Sequence, residues 1–183
     1  MSAKNSITTS HHINYDEALN TGKKLLSKES SASFGFYIIV AINTGLRIGD
    51  ILTLTKTDFD NGYKDFREQK TNKVKRLDFN AKILEAYKSV KPIGELVFTS
   101  THQSTFSPQQ INRKLKQVFK YKRKNISSHS LRKSFGRKVY EDYGETDSIL
   151  NKLSTVFNHS STKITRTYLD ITQEEIADIY MNL

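Results

Sequence analysis

The stretch "SFGFYIIVAINTGLRIGDILTL", residues 33 to 54, decides the fold. From Phe34 to Ile42 it is apolar almost without interruption, and it stops at Gly45. A continuous run of this kind predicts a helix buried on all sides and closed by a glycine cap. It falls well short of the roughly 20 residues that cross a bilayer. Leu46, Ile48, Ile51, Leu52 and Leu54 then recur at helical spacing. Arg47 stands between the two apolar segments, directly after the glycine. An arginine there is either an exposed charge at a helix start or a side chain held for chemistry.

Outward from this core the chain reads as mostly helical. Asn14 to Ser27 predicts a helix with acids in its first turn (Asp16, Glu17) and lysines in its last. Residues 57 to 80 change period. They contain Asn61-Gly62 and Thr71-Asn72, each flanked by short alternating runs, which predicts a small antiparallel sheet of two to three strands. Asn80 caps a helix through Val90. Ser107-Pro108-Gln109-Gln110 combines a cap, a first-turn proline and a capping-box glutamine, opening a helix to about Tyr121. Further helices are expected from Ser127 or Ser128 to near Gly144, from Asp147 to Val156, from near Ser161, and from Thr172, where Thr172 and Glu175 form a capping box. The fold class is α+β, mainly α-helical. Residues 1–12 read as a flexible lead-in and 13–183 as one domain.

The 183 residues carry a formal net charge of +10. Residues 113 to 138, "RKLKQVFKYKRKNISSHSLRKSFGRK", hold eleven Lys/Arg and no Asp/Glu, which leaves 18 basic residues against 19 acidic ones elsewhere. The whole surplus sits in one segment. Eleven like charges repel one another, and a polyanion relieves that, so nucleic acid is the favoured partner. A membrane surface is the competitor, but the apolar residues here form core stripes and not an inserted face. The absence of cysteine removes disulfides, thiol chemistry and Cys-type zinc sites. No signal peptide is legible in residues 1–17, and the cytoplasm is the expected compartment.

Polar residues interrupt the helical plan as a set. Arg47 lies in "TGLRIGDILTL". "HSLR" puts His129 and Arg132 on one helix face, with no acid nearby in sequence. "NHSSTKITRTYLD", residues 158 to 170, adds His159 and Tyr168. In this order and spacing the chain resembles the catalytic domain of the tyrosine recombinases, the phage integrase family, over about residues 13 to 183. The resemblance implies Arg47, His129, Arg132 and His159 as catalytic residues and Tyr168 as nucleophile. It also implies a lysine on the β hairpin, for which Lys70 in "REQKTNKVKRLDF" is the better match and Lys73 the second. Asp50 falls where the family commonly has an acid that orients an arginine. Asn158 replaces the usual glycine before the late histidine, and asparagine tolerates the left-handed conformation.

The implied activity is site-specific recombination through a 3′-phosphotyrosyl intermediate, with no metal, ATP or other cofactor. Two arginines would stabilise the charge that develops on phosphate oxygens. His129 would take the proton of Tyr168, His159 would donate to a non-bridging oxygen, and Lys70 would protonate the leaving oxygen. The alternatives are a type IB topoisomerase-like enzyme and a non-catalytic DNA-binding module. Lys73, Arg113, Lys114, Lys120, Arg123 and Lys133 are expected at DNA phosphates. The family's N-terminal core-binding and arm-binding domains have no counterpart here, so the chain reads as a fragment or a minimal recombinase. The acidic, apolar segment 172–183 either folds back on its own domain or docks on a neighbour. The latter would build a tetramer on synapsed DNA from a chain that is monomeric when free. A bacterial or phage-type mobile element is the expected setting.

Overall fold

The computed structural model describes residues 10–67, 74–92, 94–100, 104–121, 125–171 and 180–181. Nine α-helices and a two-stranded antiparallel sheet make up these residues: α1 (Tyr15–Leu26), α2 (Ala32–Thr44), α3 (Ile48–Leu52), α4 (Lys56–Asn61), β1 (Tyr63–Arg67), β2 (Val74–Asp78), α5 (Ala81–Tyr87), α6 (Pro108–Val118), α7 (Ser128–Asp142), α8 (Asp147–Phe157) and α9 (Thr162–Tyr168).

Helix α2 is the buried rod that its composition predicts. Every residue from Phe34 to Ile42 is buried, and Gly45 closes the helix in the left-handed conformation at φ 62°. Gly45 is required twice over. A side chain at that φ is strained, and a Cβ would run into the Phe135 ring of α7. Around α2 lies the larger apolar cluster, to which Ile51, Phe59, Phe79, Ile83, Phe98, Ile111, Leu115 and Leu131 contribute. A second cluster joins α7, α8 and α9 through Tyr140, Leu150, Leu153, Phe157, Tyr168 and Leu169. Helix α7 runs through both, with Leu131 in the first and Tyr140 in the second. Arg132 and Lys133 therefore fall at the seam.

The sheet differs from expectation at one turn. Asn61-Gly62 ends a helix and does not turn a hairpin. Thr55 and Asp58 form a capping box that starts α4, and Gly62 stops it at φ 81°. The capping energy of that box outweighs the weak alternation of residues 57–60. One hairpin remains, with Tyr63 paired to Asp78 and Arg67 to Val74. Its turn, with Thr71-Asn72, lies outside the described residues. Helix α5 stops at Tyr87, three residues short of Val90, and α6 at Val118. Of the segment expected from Thr172, only Tyr180 and Met181 are described; both are helical and exposed.

The lead-in is anchored at its end. Ser10 is buried and its hydroxyl meets that of Ser127, the N-cap of α7, at 2.7 Å. His11 N–H donates to Asn125 O, and Ile13 exchanges hydrogen bonds with the Ser134 hydroxyl. Residues 10–13 thus run along the start of the helix that carries His129 and Arg132.

Candidate active site

The site forms where three chain segments meet the C-terminus of α8. Arg47 is the N-cap residue of α3 and is exposed. Its Nη2 donates to Phe157 O at 3.2 Å. Arg132, one turn into α7, is 5% exposed. Its Nη2 donates to the same Phe157 O at 3.1 Å, and its Nη1 donates to Gly45 O. The Phe157 ring lies under the Arg132 guanidinium at 4.5 Å. Two guanidinium groups therefore share one carbonyl at the negative end of a helix dipole, which offsets part of their repulsion. Among the described residues neither arginine has a carboxylate within ion-pair distance. Burial pulls the Arg132 pKa down to about 10, with Arg47 adding to this and Tyr168 and then Asp50 opposing it. It stays charged at neutral pH. A guanidinium carries five N–H donors, so both arginines keep donors for an anion.

The two histidines sit in this positive field as neutral bases. Burial lowers the His129 pKa first, and Arg132, Arg47 and Lys133 lower it further. His159 is pulled down to about 4 by burial and then by Arg132 and Arg47. Asn158 reverses the chain between α8 and His159 in the left-handed conformation, φ 53°, which asparagine tolerates. His159 Nδ1 meets Thr165 Oγ1 at 3.0 Å, and its ring stands edge-on to Tyr168 at 5.2 Å between centroids.

Tyr168 ends α9 and is 6% exposed. Its hydroxyl is buried beside the Arg132 guanidinium but out of line for a hydrogen bond. Burial pushes the phenol up to about 12, while Arg132 and Arg47 hold it back. Helix α9 is held down from α7. Lys133, 1% exposed, pairs with Asp170 at 3.0 Å and lies 5.4 Å from the Tyr168 ring centroid. Arg137 donates to Leu169 O at 3.3 Å. Gly136 leaves room for Leu169 and Phe157, which a Cβ there would meet at 2.6 and 2.8 Å.

The fold thus brings His129, His159 and Tyr168 each within electrostatic reach of Arg47 and Arg132, while Lys70 lies outside the described residues. So do Lys73 and Arg123. Arg113 and Lys120 are exposed, and Lys114 is half-buried with its ammonium 5.5 Å from the Phe34 ring. Lys133 is a correction: a phosphate contact needs exposure, and this lysine is enclosed against Asp170. Lys138 is likewise paired, with Asp142. Lys133, Arg137 and Lys138 of α7 find acids from distant or following turns, so not all of the basic segment is free charge. Asp170, Thr165 and Ser154 carried no signal in the sequence that marked them for the site.

The family model described as the phage integrase family matches residues 11–175. The chain belongs to the phage integrase family. A probable integrase/recombinase, YoeC, of Bacillus subtilis (strain 168), is 31% identical over 173 residues, which is 90% of this chain and 91% of YoeC. The integrase fold is shared with the XerA recombinase at a TM-score of 0.68 and 18% identity, over 96% of this chain and 65% of XerA. A lambda integrase dimer bound to a COC′ core site gives 0.62 and 21%, over 92% of this chain and 50% of that one. XerH bound to difH in a pre-cleavage complex gives 0.63 and 20%, over 96% and 54%. This integrase-family chain spans half to two thirds of those solved relatives.

Two expectations follow from the charges. Asp170→Asn leaves Lys133 buried without its counter-charge. It is expected to cost about 2–3 kcal/mol in urea unfolding, the low end for a buried pair because Asp170 is 41% exposed. Lys133→Met with Asp170→Asn should recover most of that. The histidines set a pH dependence. The unfolded chain takes protons below about pH 6.5, while folded His159 refuses them until about pH 4. Stability is therefore full above pH 7 and falls on acidification from 6.5 towards 4. The loss is about 1–2 kcal/mol after screening of the half-exposed ring. Melting temperatures at pH 7.5 and 5 should differ less in His159→Gln.

Proposed function

We propose that this chain is a site-specific tyrosine recombinase that cleaves and rejoins double-stranded DNA through a phosphotyrosyl bond. The observation that carries the reading is a pair of guanidinium groups without carboxylates, gathered on Phe157 O beside the buried hydroxyl of Tyr168. A phosphodiester supplies the missing negative charge. The remaining N–H donors of Arg47 and Arg132 bind its non-bridging oxygens and stabilise the charge that builds there.

The Tyr168 oxygen attacks phosphorus, and the bond to the 5′ oxygen of the next nucleotide breaks. The phenol has to lose its proton as it attacks, because it is far from ionised at neutral pH. His129, neutral there, accepts that proton. Lys70 gives a proton to the departing 5′ oxygen, and His159 supports a non-bridging oxygen. The 3′-phosphotyrosyl bond retains the diester's energy, so a 5′-hydroxyl of another strand reverses the step without ATP. Arg113, Lys114 and Lys120 on and after α6 contact phosphates. The C-terminal segment 172–183 docks on a neighbouring copy and links four protomers on synapsed DNA, with the free chain a monomer in the cytoplasm.

The test is covalent capture. A randomised pool of duplexes, each nicked so that the 5′ fragment after cleavage diffuses away, is incubated with the chain. Denaturant-stable adducts are then recovered, sequenced and mapped by mass spectrometry. A phosphotyrosyl peptide containing Tyr168, on an enriched DNA sequence, is the expected result. No adduct from the pool overturns the enzymatic reading. Adduct without sequence enrichment, together with relaxation of supercoiled plasmid, favours the topoisomerase-like one.

A further inference from the structure

The hydrogen bonds around His159 can be assigned a direction. Ser154 Oγ lies 2.8 Å from Leu150 O, a contact in which only the serine can donate. Ser154 Oγ also lies 2.7 Å from Thr165 Oγ1. The serine has one proton and it is committed, so Thr165 donates to Ser154. Ser161 O, at 3.5 Å, is a weaker competitor for the same threonine proton, and whichever oxygen takes it, Thr165 has none left for His159 Nδ1 at 3.0 Å. Nδ1 must donate. The chain of donors runs from His159 Nδ1–H to Thr165, to Ser154, to Leu150 O. Reversing it leaves the contact of Ser154 to Leu150 O unmade. Thr165 and Ser154 are both buried, so water does not compete for these bonds.

Building on the recombinase reading, we propose that Thr165 is a positioning residue that locks His159 as the Nδ1–H tautomer and presents Nε2 to the phosphate site. Two consequences follow. Neutral His159 carries a lone pair at Nε2, so it supports a phosphate oxygen as a donor only after taking up a proton. Arg47 and Arg132 oppose that uptake in the free protein, the neutral Tyr168 phenol does not assist it, and an arriving phosphodiester favours it. Second, Thr165 is one helical turn before Tyr168 on α9 and bonds to α8 through Ser154, so they share a face. The lock on His159 therefore holds only while the nucleophile's helix is docked. Presentation of the histidine and placement of Tyr168 are coupled through one hydroxyl.

The deciding measurement is the tautomer of His159 in the full chain labelled with 15N-histidine, read at pH 7.5 from long-range 15N–1H correlations. The signal is assigned by its loss in His159→Gln. Wild type is expected as Nδ1–H. Thr165→Val, equal in shape and without a hydroxyl, is expected to turn to Nε2–H, the form preferred by unconstrained histidine. Thr165→Ser is expected to restore Nδ1–H. Wild type as Nε2–H, or a Thr165→Val spectrum like wild type, overturns the proposal. In single-turnover capture on the enriched duplex, Thr165→Val should slow adduct formation about tenfold, the worth of one hydrogen bond, and Thr165→Ser should recover it. An unchanged rate in Thr165→Val also overturns it. Failure of wild type to form any adduct sinks the recombinase reading instead, and the nitrogen spectra still decide the tautomer.

Discussion

Tyr168→Phe is expected to abolish the denaturant-stable protein–DNA adduct while making the protein more stable. The first half follows from chemistry. No other group in the site can replace the phenol oxygen as the atom bonded to phosphorus, so the loss should exceed about 10⁴-fold, the limit of gel detection. The second half follows from packing. The Tyr168 hydroxyl is buried without an aligned partner among the described residues. An unsatisfied buried hydroxyl costs about 1–3 kcal/mol, so its deletion returns about 1 kcal/mol and raises Tm by about 2–4 °C. The ring stays in its cluster with Phe157 and Leu169. Tyr140→Phe, in the same cluster and away from the arginines, should leave the adduct intact. A Tyr168→Phe chain that still forms adduct, or one that melts several degrees lower, contradicts this account of the site.

Arg132→Lys is expected to damage both reaction and fold, and Arg47→Lys the reaction alone. Arg132 ties Gly45 O, at the end of α2, to Phe157 O, at the end of α8. A lysine keeps the charge but cannot hold two diverging carbonyls and an anion in one plane. Phe157 O keeps the donor from Arg47, but Gly45 O loses its own, and a buried carbonyl left without a donor costs about 1–3 kcal/mol, so about that much stability should go in urea unfolding. Single-turnover cleavage should fall about 10³-fold, in the range for loss of a preorganised charge donor. Arg47 is exposed and holds only Phe157 O, so Arg47→Lys should melt within about 1 °C of wild type while still losing about 10²–10³ in rate. Equal melting of the two variants would show that Arg132 does not bridge α2 and α8.

Much of this was legible from local pattern. The apolar run of α2 with its terminal glycine, the proline and capping box of α6, and the serine cap of α7 are signals contained within a few residues, and each element formed where it was expected. Asn61-Gly62 misled because a turn dipeptide does not say what precedes it. The competing capping box, Thr55 with Asp58, was equally local and was the stronger determinant. Lys133 misled for a different reason. Within residues 113–138 it has no acid, and its partner Asp170 stands 37 positions away. Charge counted along a chain is blind to pairs made by folding.

Order and spacing of Arg47, His129, Arg132, His159 and Tyr168 in the sequence determined the family and the residues to watch, because each motif combines a helix boundary with a chemically distinctive side chain. Only the tertiary structure decided what those side chains experience. It set both arginines on one carbonyl, enclosed the Tyr168 hydroxyl, buried Lys133 against Asp170, and ran a line of hydroxyls from His159 to Leu150. Burial and hydrogen-bond direction are properties of groups brought together from α2, α7, α8 and α9, and no one segment contains them.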